Sequence, residues 1–439
     1  MKCKQILAAL CSAALVLSLV GCGDKTPAAS SAPAASTGTD TAQTAPITIW
    51  AWDDNFNVKA ANIAKDLYQK EHPDVEINVV SMALSDIRQK MNTAFAADNY
   101  DGMPNIVLVE DYSIGGYLSA FPGTMRDLSD VVNKADWMDY KLNVLCEGDK
   151  VYGVPFDSGV TGMFYRTDLL EQAGYTAADL TDITWDEYIE IGKAVKEKTG
   201  VSMLQITSGD LTLIKIMMQS AGEWYVKEDG VTPNIVGNNT LKEAIITYKK
   251  LIESNIVMNV PGWDAMVQAV QNGELATIVD GCWIASTIET AADQSGKWAV
   301  APVPRLSNVK TSVNASNVGG ASWYVIDKVP GGEVAADFLK ATIAGNTDYL
   351  NTLVKEICLV NTLKDPSKIT NYQVESPFFS NQKIYESFNA WAVKVPAVNY
   401  GINTYATDDI VEESIQSIMQ GADIDETIQT IADRVASIG

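Results

Sequence analysis

Short strand-like runs alternate with helix-like segments in the region that follows position 46, and this order narrows the possible folds more than any other feature. Residues 47–52 and 75–80 are β-type runs, and the residues between them have helical spacing of their apolar side chains. A second helical stretch, 87–95, leads to 106–109, a fully apolar run of the kind that is buried in parallel sheets. This β-α-β-α-β order predicts a doubly wound α/β lobe.

The length and composition of the chain indicate a large globular protein and argue against nucleic-acid binding. It has 439 residues, which is too many for one ordinary core and indicates two or three domains or one large bilobed protein. Hydrophobic residues make up 47%, as in folded globular proteins. The 55 acidic residues outnumber the 32 basic ones, for a net charge of −23. Nucleic-acid binding rests on basic side chains that neutralise phosphates, so we predict no nucleic-acid partner.

The chemistry-bearing residues are sparse. His72 is the single histidine, which excludes zinc or iron sites that need several histidines. It stands between a predicted helix and a strand, which favours a helix C-terminal role over a catalytic one. Cys146, Cys282 and Cys358 are widely spaced without a C-x-x-C motif, so buried free thiols are favoured, although one disulfide is possible. We therefore expect no enzyme activity, no catalytic residues, no metal and no cofactor.

The N-terminus has the pattern of a targeting segment. Basic residues precede an apolar run over 6–20, which is too short for a comfortable membrane span of about 20 residues. The run ends in Leu-Val-Gly-Cys, which resembles a bacterial lipobox and predicts a lipoprotein signal peptide over 1–21 with lipidation (palmitate) of Cys22. An ordinary signal peptide with a chance cysteine and an uncleaved anchor are the alternatives. Residues 22–46 are almost all Ala, Ser, Thr, Pro and Gly, which predicts a flexible tether.

From position 47 onward, the chain resembles extracellular solute-binding protein family 1, the maltose-binding-protein-like sugar-binding lipoproteins of ABC importers. The motifs that carry this resemblance are ITIWAW at 47–52, EHPDVEI at 71–77, PNIV at 104–107 with GGY at 115–117, KVYGVP at 150–155, FYRTDLL at 164–170, NGELA at 272–276 and DGCW at 280–283. Each motif is degenerate, but together they follow the family's order and spacing. Asn105 and Arg166 depart from the residues usual in the family, Asp and Asn respectively.

The resemblance implies an α/β, two-lobed periplasmic-binding-protein-like fold of type II, with lobes joined by multiple hinge crossovers. By this analogy lobe 1 comprises 47–156 plus 314–357, and lobe 2 comprises 157–313 plus 358–439. A ligand in the cleft would favour the closed state. A monomer is implied, held by the Cys22 lipid at the extracytoplasmic face of the cell membrane, with a carbohydrate ligand and the transmembrane permease subunits of an ABC transporter as partners.

Candidate ligand-binding polar residues follow predicted strands. A sugar needs flat aromatic faces for its C–H surfaces and short polar groups for its hydroxyls. Trp52, Asp53 and Asp54 leave the first strand at the edge where open α/β sheets bind ligands, although a turn with a helix-capping Asp is the alternative. Glu110 and Asp111 follow the third strand in the same way.

A second set of candidates includes one acid and several aromatic residues. Asp157 follows the crossover and either faces the cleft or is solvated. Trp283 matches the family's stacking tryptophan, with core burial as the alternative. Trp323 follows two glycines that permit close approach of a ligand, but core packing competes. The remaining candidates are second-lobe or C-terminal residues, namely Trp224, Trp263, Tyr400 and Asn403.

The sequence thus predicts a substrate-binding lipoprotein of an ABC importer that captures a carbohydrate, with an oligosaccharide favoured by the many aromatic residues. Two alternatives stay open at this point. One is a secreted glycoside hydrolase, which needs a suitably spaced pair of carboxyl groups. The other is a surface lipoprotein that binds a peptide or another polar solute.

Overall fold

The structure is a computed structural model that describes residues 46–207 and 209–438. The predicted signal peptide, the Cys22 lipidation site and the tether up to position 45 lie outside the described residues. Within the described ranges, no helix combines the length and the apolar composition that a membrane crossing needs.

Twelve strands occur in the described ranges. They are β1 (Ile47–Ala51), β2 (Ile77–Ser81), β3 (Ile106–Glu110), β4 (Cys146–Glu147), β5 (Lys150–Val151), β6 (Gly153–Pro155), β7 (Thr161–Arg166), β8 (Leu204–Thr207), β9 (Val257–Val260), β10 (Thr277–Gly281), β11 (Trp298–Pro302) and β12 (Ala321–Val325).

Fifteen α-helices occur in the same ranges. They are α1 (Asn57–Tyr68), α2 (Leu84–Ala96), α3 (Asp111–Ala120), α4 (Asp139–Leu145), α5 (Thr167–Gln172), α6 (Trp185–Thr199), α7 (Thr212–Ser220), α8 (Asn239–Glu253), α9 (Trp263–Gln271), α10 (Ala285–Ile288), α11 (Gly332–Thr342), α12 (Thr347–Ile357), α13 (Ile384–Ala392), α14 (Thr404–Met419) and α15 (Ile424–Val435).

The predicted β-α-β-α-β unit is present as a parallel group. Strand β1 pairs in parallel with β2 on one side and with β3 on the other. Strand β12 returns antiparallel between β3 and β6, which gives a five-stranded sheet of order β2-β1-β3-β12-β6. The carboxyl ends of β1 and β3 therefore lie at the same edge, where ligands bind in open α/β sheets.

A second sheet is antiparallel, with β7 between β10 and β11. All five strands of the first sheet fall within 47–156 and 314–357, and all three strands of the second fall within 157–313. The larger hydrophobic cluster nevertheless contains residues of both sheets, such as Ile106 and Trp298. The proposed lobe boundaries stay a prediction.

The segments that connect the two sheets are bonded to one another. Ser158 N donates to Val360 O at 2.9 Å, and Thr161 N donates to Ser316 O at 2.8 Å. Val318 N donates to Gly159 O at 2.9 Å. The connecting segments around residues 158–161, 316–318 and 360 therefore run side by side between the two sheets.

Local sequence signals set several helix ends. Helix α6 begins with a capping box, in which Thr184 and Glu187 each satisfy a backbone N–H of the other. At the C-terminus, α15 ends at Val435, so Ile438 lies beyond its last turn. His72 also lies beyond a helix end, and its ring stacks on Tyr68 with centroids 4.1 Å apart.

Asn105 and Arg166, the two residues that depart from the family pattern, both bond to other parts of the fold. The buried Asn105 side chain accepts the Thr48 N–H at 2.9 Å and donates to Pro330 O at 2.7 Å. Arg166 forms an ion pair with Asp168 at 2.7 Å and donates to Gln294 at 3.0 Å. Both side chains connect elements within the fold.

Candidate functional site

A cleft of about 820 Å³ opens at the carboxyl edge of β1 and β3. It is bounded by the β1–α1 connection, the segment after β10, the glycines before β12 and the end of α12. The lining residues are Trp52, Asp53, Asn55, Phe56, Asn57, Lys59, Glu110, Asp157, Trp263, Trp283, Ser286, Thr287, Glu289, Thr290, Gly319, Gly320, Ala321, Lys355, Glu356, Ile357 and Cys358. Six of the residues predicted from the sequence lie together here: Trp52, Asp53, Glu110, Asp157, Trp263 and Trp283. Their contact with a ligand stays a prediction.

Two tryptophans form one aromatic wall of the cleft. Trp263 begins α9, and Trp283 lies in a short 3₁₀ turn directly after β10. Their ring centroids are 6.0 Å apart with an angle of 32° between the planes, and Trp263 is 51% exposed. A Cβ at position 281 would lie 2.2 Å from Trp283 Nε1, so this ring position requires Gly281. The two adjacent rings present a broad apolar surface to the cleft.

The β1–α1 connection supplies Asp53, whose two predicted roles are both compatible with the structure. Its backbone is left-handed, with φ of 62°, and its Oδ1 accepts the N–H groups of Asn55 at 3.0 Å and Phe56 at 3.3 Å. The carboxylate therefore shapes the turn that enters α1 while lying in the cleft wall. The adjacent Asp54 is exposed and is not among the cleft residues.

Asp157 lies in the cleft and is buried rather than solvated. Its Oδ1 accepts the Ala321 N–H at 2.6 Å. Burial raises the pKa of Asp157, and the charge of Lys141 opposes this only in part. Glu110, at the end of β3, lies in the same cleft and is ion-paired with Arg88.

Asp111 is a correction to the predicted site, because it lies under the cleft surface. It is 3% exposed and is ion-paired at 2.7 Å with Lys141, which is 1% exposed. Lys141 also donates to Ala321 O at 2.8 Å, and a Cβ at Gly320 would lie 2.8 Å from Asp111 Oδ2. Burial raises the pKa of Asp111 to about 6, against the lowering effect of Lys141. This pair therefore supports the backbone of the cleft floor from beneath.

Trp323 is a second correction. The ring is fully buried on β12 and packs edge-on against Phe156, with centroids 5.4 Å apart. Ala321 lies two residues earlier on the same face of β12 and reaches the cleft, but Phe156 and the surrounding core cover the Trp323 ring, so the glycines before β12 do not bring it to the cleft. The core alternative holds for this tryptophan.

Three more candidates lie outside the cleft, and two of them, Trp224 and Tyr400, belong to an aromatic cluster. Trp224 is 1% exposed, stacks on Tyr112 with centroids 5.6 Å apart, and donates from Nε1 to Thr404 at 3.1 Å. The Tyr400 ring is buried against Trp224, and its hydroxyl accepts from Asn317 at 3.3 Å. Asn403 is half-buried just before α14 and makes no side-chain cap. Trp224, Tyr400 and Asn403 are therefore not among the cleft residues.

Several cleft residues are not among those predicted from the sequence. Three of them carry hydroxyl groups and follow Trp283 within two helical turns, namely Ser286, Thr287 and Thr290. Hydroxyl side chains so close in sequence to a predicted stacking tryptophan are a local signal that could have indicated them. The end of α12 has no comparable local signal. It reaches the cleft beside Lys59, whose Nζ forms an ion pair with Glu356 at 3.0 Å.

The three cysteines outside the N-terminal segment form no disulfide with one another. Cys282 is buried, and its thiol donates to Ser158 O at 3.2 Å. Cys146 and Cys358 are half-buried, which corrects the expectation that all three are buried. Cys358 lies in the cleft, and burial raises its pKa to about 11. Within 46–207 and 209–438, no cluster of three metal-ligating side chains is found.

Comparisons with known proteins agree with this architecture. A family profile described as "Bacterial extracellular solute-binding protein" matches residues 64–369. The lactose-binding protein of Rhizobium radiobacter is 40% identical over 390 residues, which cover 89% of this chain and 92% of that protein.

Two solved structures show the fold. The sugar-binding protein MalE of Xanthomonas citri has a TM-score of 0.73 at 18% identity, over 90% of this chain and 97% of that one. The ABC transporter-associated binding protein of B. animalis subsp. lactis Bl-04, in complex with beta-1,6-galactobiose, has a TM-score of 0.70 at 21% identity, over 88% and 96%. The predicted type II two-lobed α/β fold is confirmed.

Proposed function

The chain belongs to the bacterial extracellular solute-binding protein family, and on this premise we propose that it captures a carbohydrate for an ABC importer. This family is the one that the sequence motifs indicated. The proposed protein binds its sugar in the cleft and delivers it to the membrane permease. It is a monomer that performs no chemistry on the sugar, and it is held at the extracytoplasmic face of the cell membrane by a lipid on Cys22.

The observation that carries the proposal is the pairing of aromatic and polar surfaces in one cleft. Trp263 and Trp283 offer adjacent ring faces for the C–H surfaces of a pyranose. Asp53, Glu110 and Asp157 offer carboxylate oxygens that accept hydrogen bonds from hydroxyls. The volume of about 820 Å³ lies within the range of roughly 300–1,000 Å³ that small-molecule sites show.

Two relatives direct the choice of sugar. The protein of Rhizobium radiobacter is named for lactose, and the B. animalis protein is described with beta-1,6-galactobiose. Both sugars contain galactose. We therefore propose a short galactose-containing oligosaccharide as the ligand, and lactose as the first sugar to test.

Titration calorimetry of the mature protein against lactose, β-1,6-galactobiose, maltotriose and free galactose tests the proposal. We expect saturable binding of at least one disaccharide, and tighter binding than of galactose because a second ring covers more of the aromatic wall. A ligand that binds the native state should also raise the melting temperature, by mass action.

Two results would overturn the proposal. Release of monosaccharides from an incubated oligosaccharide, followed by chromatography, would favour the hydrolase. Thermal protection by peptides, with none by any sugar, would favour a peptide-binding lipoprotein.

A further inference from the structure

Glu110 has neighbours outside the cleft lining that its proposed role in sugar binding does not explain. The Arg88 guanidinium, from α2, forms an ion pair with the Glu110 carboxylate. The same guanidinium lies over the ring of Tyr405, with its carbon 4.1 Å from the ring centroid. Arg88 therefore joins a cleft residue to the first turn of α14.

The surroundings of Arg88 favour its charged form. Burial lowers the pKa of Arg88, but the charge of Glu110 and the proximity of Tyr405 outweigh it, so the pKa is raised. Burial and the Glu110 charge together raise the pKa of Tyr405, which keeps its hydroxyl protonated. A guanidinium held over an aromatic face and paired with a carboxylate has little freedom to move.

Helix α14 reaches Arg88 because a glycine pair in α3 lets the backbone before α14 approach. A Cβ at Gly115 would lie 2.6 Å from Gly401 O, and a Cβ at Gly116 would lie 2.9 Å from Ile402 O. The segment 401–402 thus packs directly on α3, and Tyr405 follows it one turn later.

The elements that meet at Arg88 have their cores in different clusters. The buried residues of α2, such as Met91, belong to the cluster around the five-stranded sheet. Those of α14, such as Val411, belong to the cluster around α6, α7 and α8. The contact between Arg88 and Tyr405 therefore bridges two hydrophobic units.

We propose that Arg88 is a positioning residue, which holds the Glu110 carboxylate at the cleft wall. The position of this carboxylate then depends on how α14 packs against α2 and α3. This inference rests on the proposed function. Sugar contact at Glu110 and the packing of α14 are then energetically coupled through the Arg88 guanidinium, beside a direct interaction of the Tyr405 side chain with Glu110.

A double-mutant cycle measured by calorimetry with lactose tests the coupling. We expect Arg88→Met to weaken lactose binding about tenfold and Glu110→Gln to weaken it at least as much. The double variant should bind no more weakly than Glu110→Gln alone, because both changes remove the same ion pair between Arg88 and Glu110. Arg88→Lys keeps the charge but loses the planar fork, so it should recover part of the affinity.

Arg126→Met is the matched control. Arg126 is also ion-paired with carboxylates, Asp327 at 2.9 Å and Glu333 at 3.0 Å, but it is not among the cleft residues. Its loss should leave lactose affinity unchanged. Equal weakening by the Arg88 and Arg126 changes would show a general stability effect and overturn the positioning role.

Hydrogen exchange in the absence of sugar gives a second readout. Arg88→Met should speed amide exchange in the first turns of α14 by about tenfold, while α15 stays as in the wild type. If Arg88→Met fails to fold, Arg88→Lys decides both measurements.

The two proposals can fail separately. A wild type that binds none of the four sugars refutes the proposed function, and the positioning role with it. The positioning role alone is refuted if the wild type binds lactose and the Arg88 variants bind it with the affinity of the wild type. It is also refuted if the losses of affinity in Arg88→Met and Glu110→Gln add up in the double variant.

Discussion

Replacing Trp283 with alanine is the sharpest test of the aromatic wall. A tryptophan buries about 150–250 Å² when fully covered. One face of the ring presented to a sugar corresponds to roughly a third of this, about 70 Å², which at ~25 cal/mol per Å² contributes ~1.7 kcal/mol. That is about a twentyfold loss of affinity. The loss should not be total, because Trp263 stays 6.0 Å away.

The assay is titration calorimetry with the tightest-binding sugar of the panel. Trp283→Phe keeps a smaller aromatic face and should lose less affinity than Trp283→Ala. Trp391→Ala is the matched control, because this half-buried indole packs on Phe388 in α13 and is not among the cleft residues. Melting curves establish that each variant is folded at the titration temperature.

A Trp283→Ala variant that binds within twofold of a tightly binding wild type would refute the stacking role of Trp283. That result would mean that the sugar lies elsewhere in the cleft or contacts the ring only at its edge. A comparable loss in Trp391→Ala would instead attribute the effect to weakened packing.

Three further predictions concern the structure around the cleft. Gly→Ala inside a helix ordinarily stabilises by ~1 kcal/mol, but Gly115→Ala should lower the free energy of unfolding because its Cβ would lie 2.6 Å from Gly401 O; a gain in urea titrations would contradict this close approach. Burial raises the pKa of Asp111 from 3.8 to about 6, so between these pH values the native state keeps a proton that the unfolded chain has lost. The contribution of this group to stability is therefore full below about pH 4 and is lost as the pH rises through 6. The free energy of unfolding of the wild type relative to Asp111→Asn should therefore fall from pH 4 to 7 by up to about 3 kcal/mol, and a rise over this range would refute the assignment. Saturating sugar should slow iodoacetamide labelling of Cys358, which lies in the cleft, and leave Cys146 unaffected; mass spectrometry of the labelled peptides measures both rates, and an unprotected Cys358 would place the sugar away from the end of α12.

The regular elements were accessible from sequence because their signals are local. The strands β1, β2 and β3 and the helices between them follow from hydrophobic periodicity. The capping box at Thr184 and Glu187, a pattern within four consecutive residues, begins α6. Strand ends also identified Trp52, Asp53 and Glu110, since the carboxyl ends of parallel strands share one edge.

The long-range contacts in and around the cleft were not accessible in this way. Gly115 needs to be glycine because of Gly401, and Glu110 is held by Arg88, which the chain order does not connect to it. Lys59 and Glu356, paired at 3.0 Å, lie almost 300 positions apart. No local pattern encodes such pairs, because each depends on how helices already formed pack together.

The sequence by itself determined the fold class, the family and the strand ends from which a cleft could be built. Only the tertiary structure decided which aromatic rings face it. Trp263 and Trp224 were equal candidates by sequence, yet Trp263 is 51% exposed in the cleft and Trp224 is 1% exposed against Tyr112 and Tyr400. The physical reason is that burial of a side chain is set by the elements packed over it, and for Trp224 these come from positions more than 100 residues away in both directions along the chain.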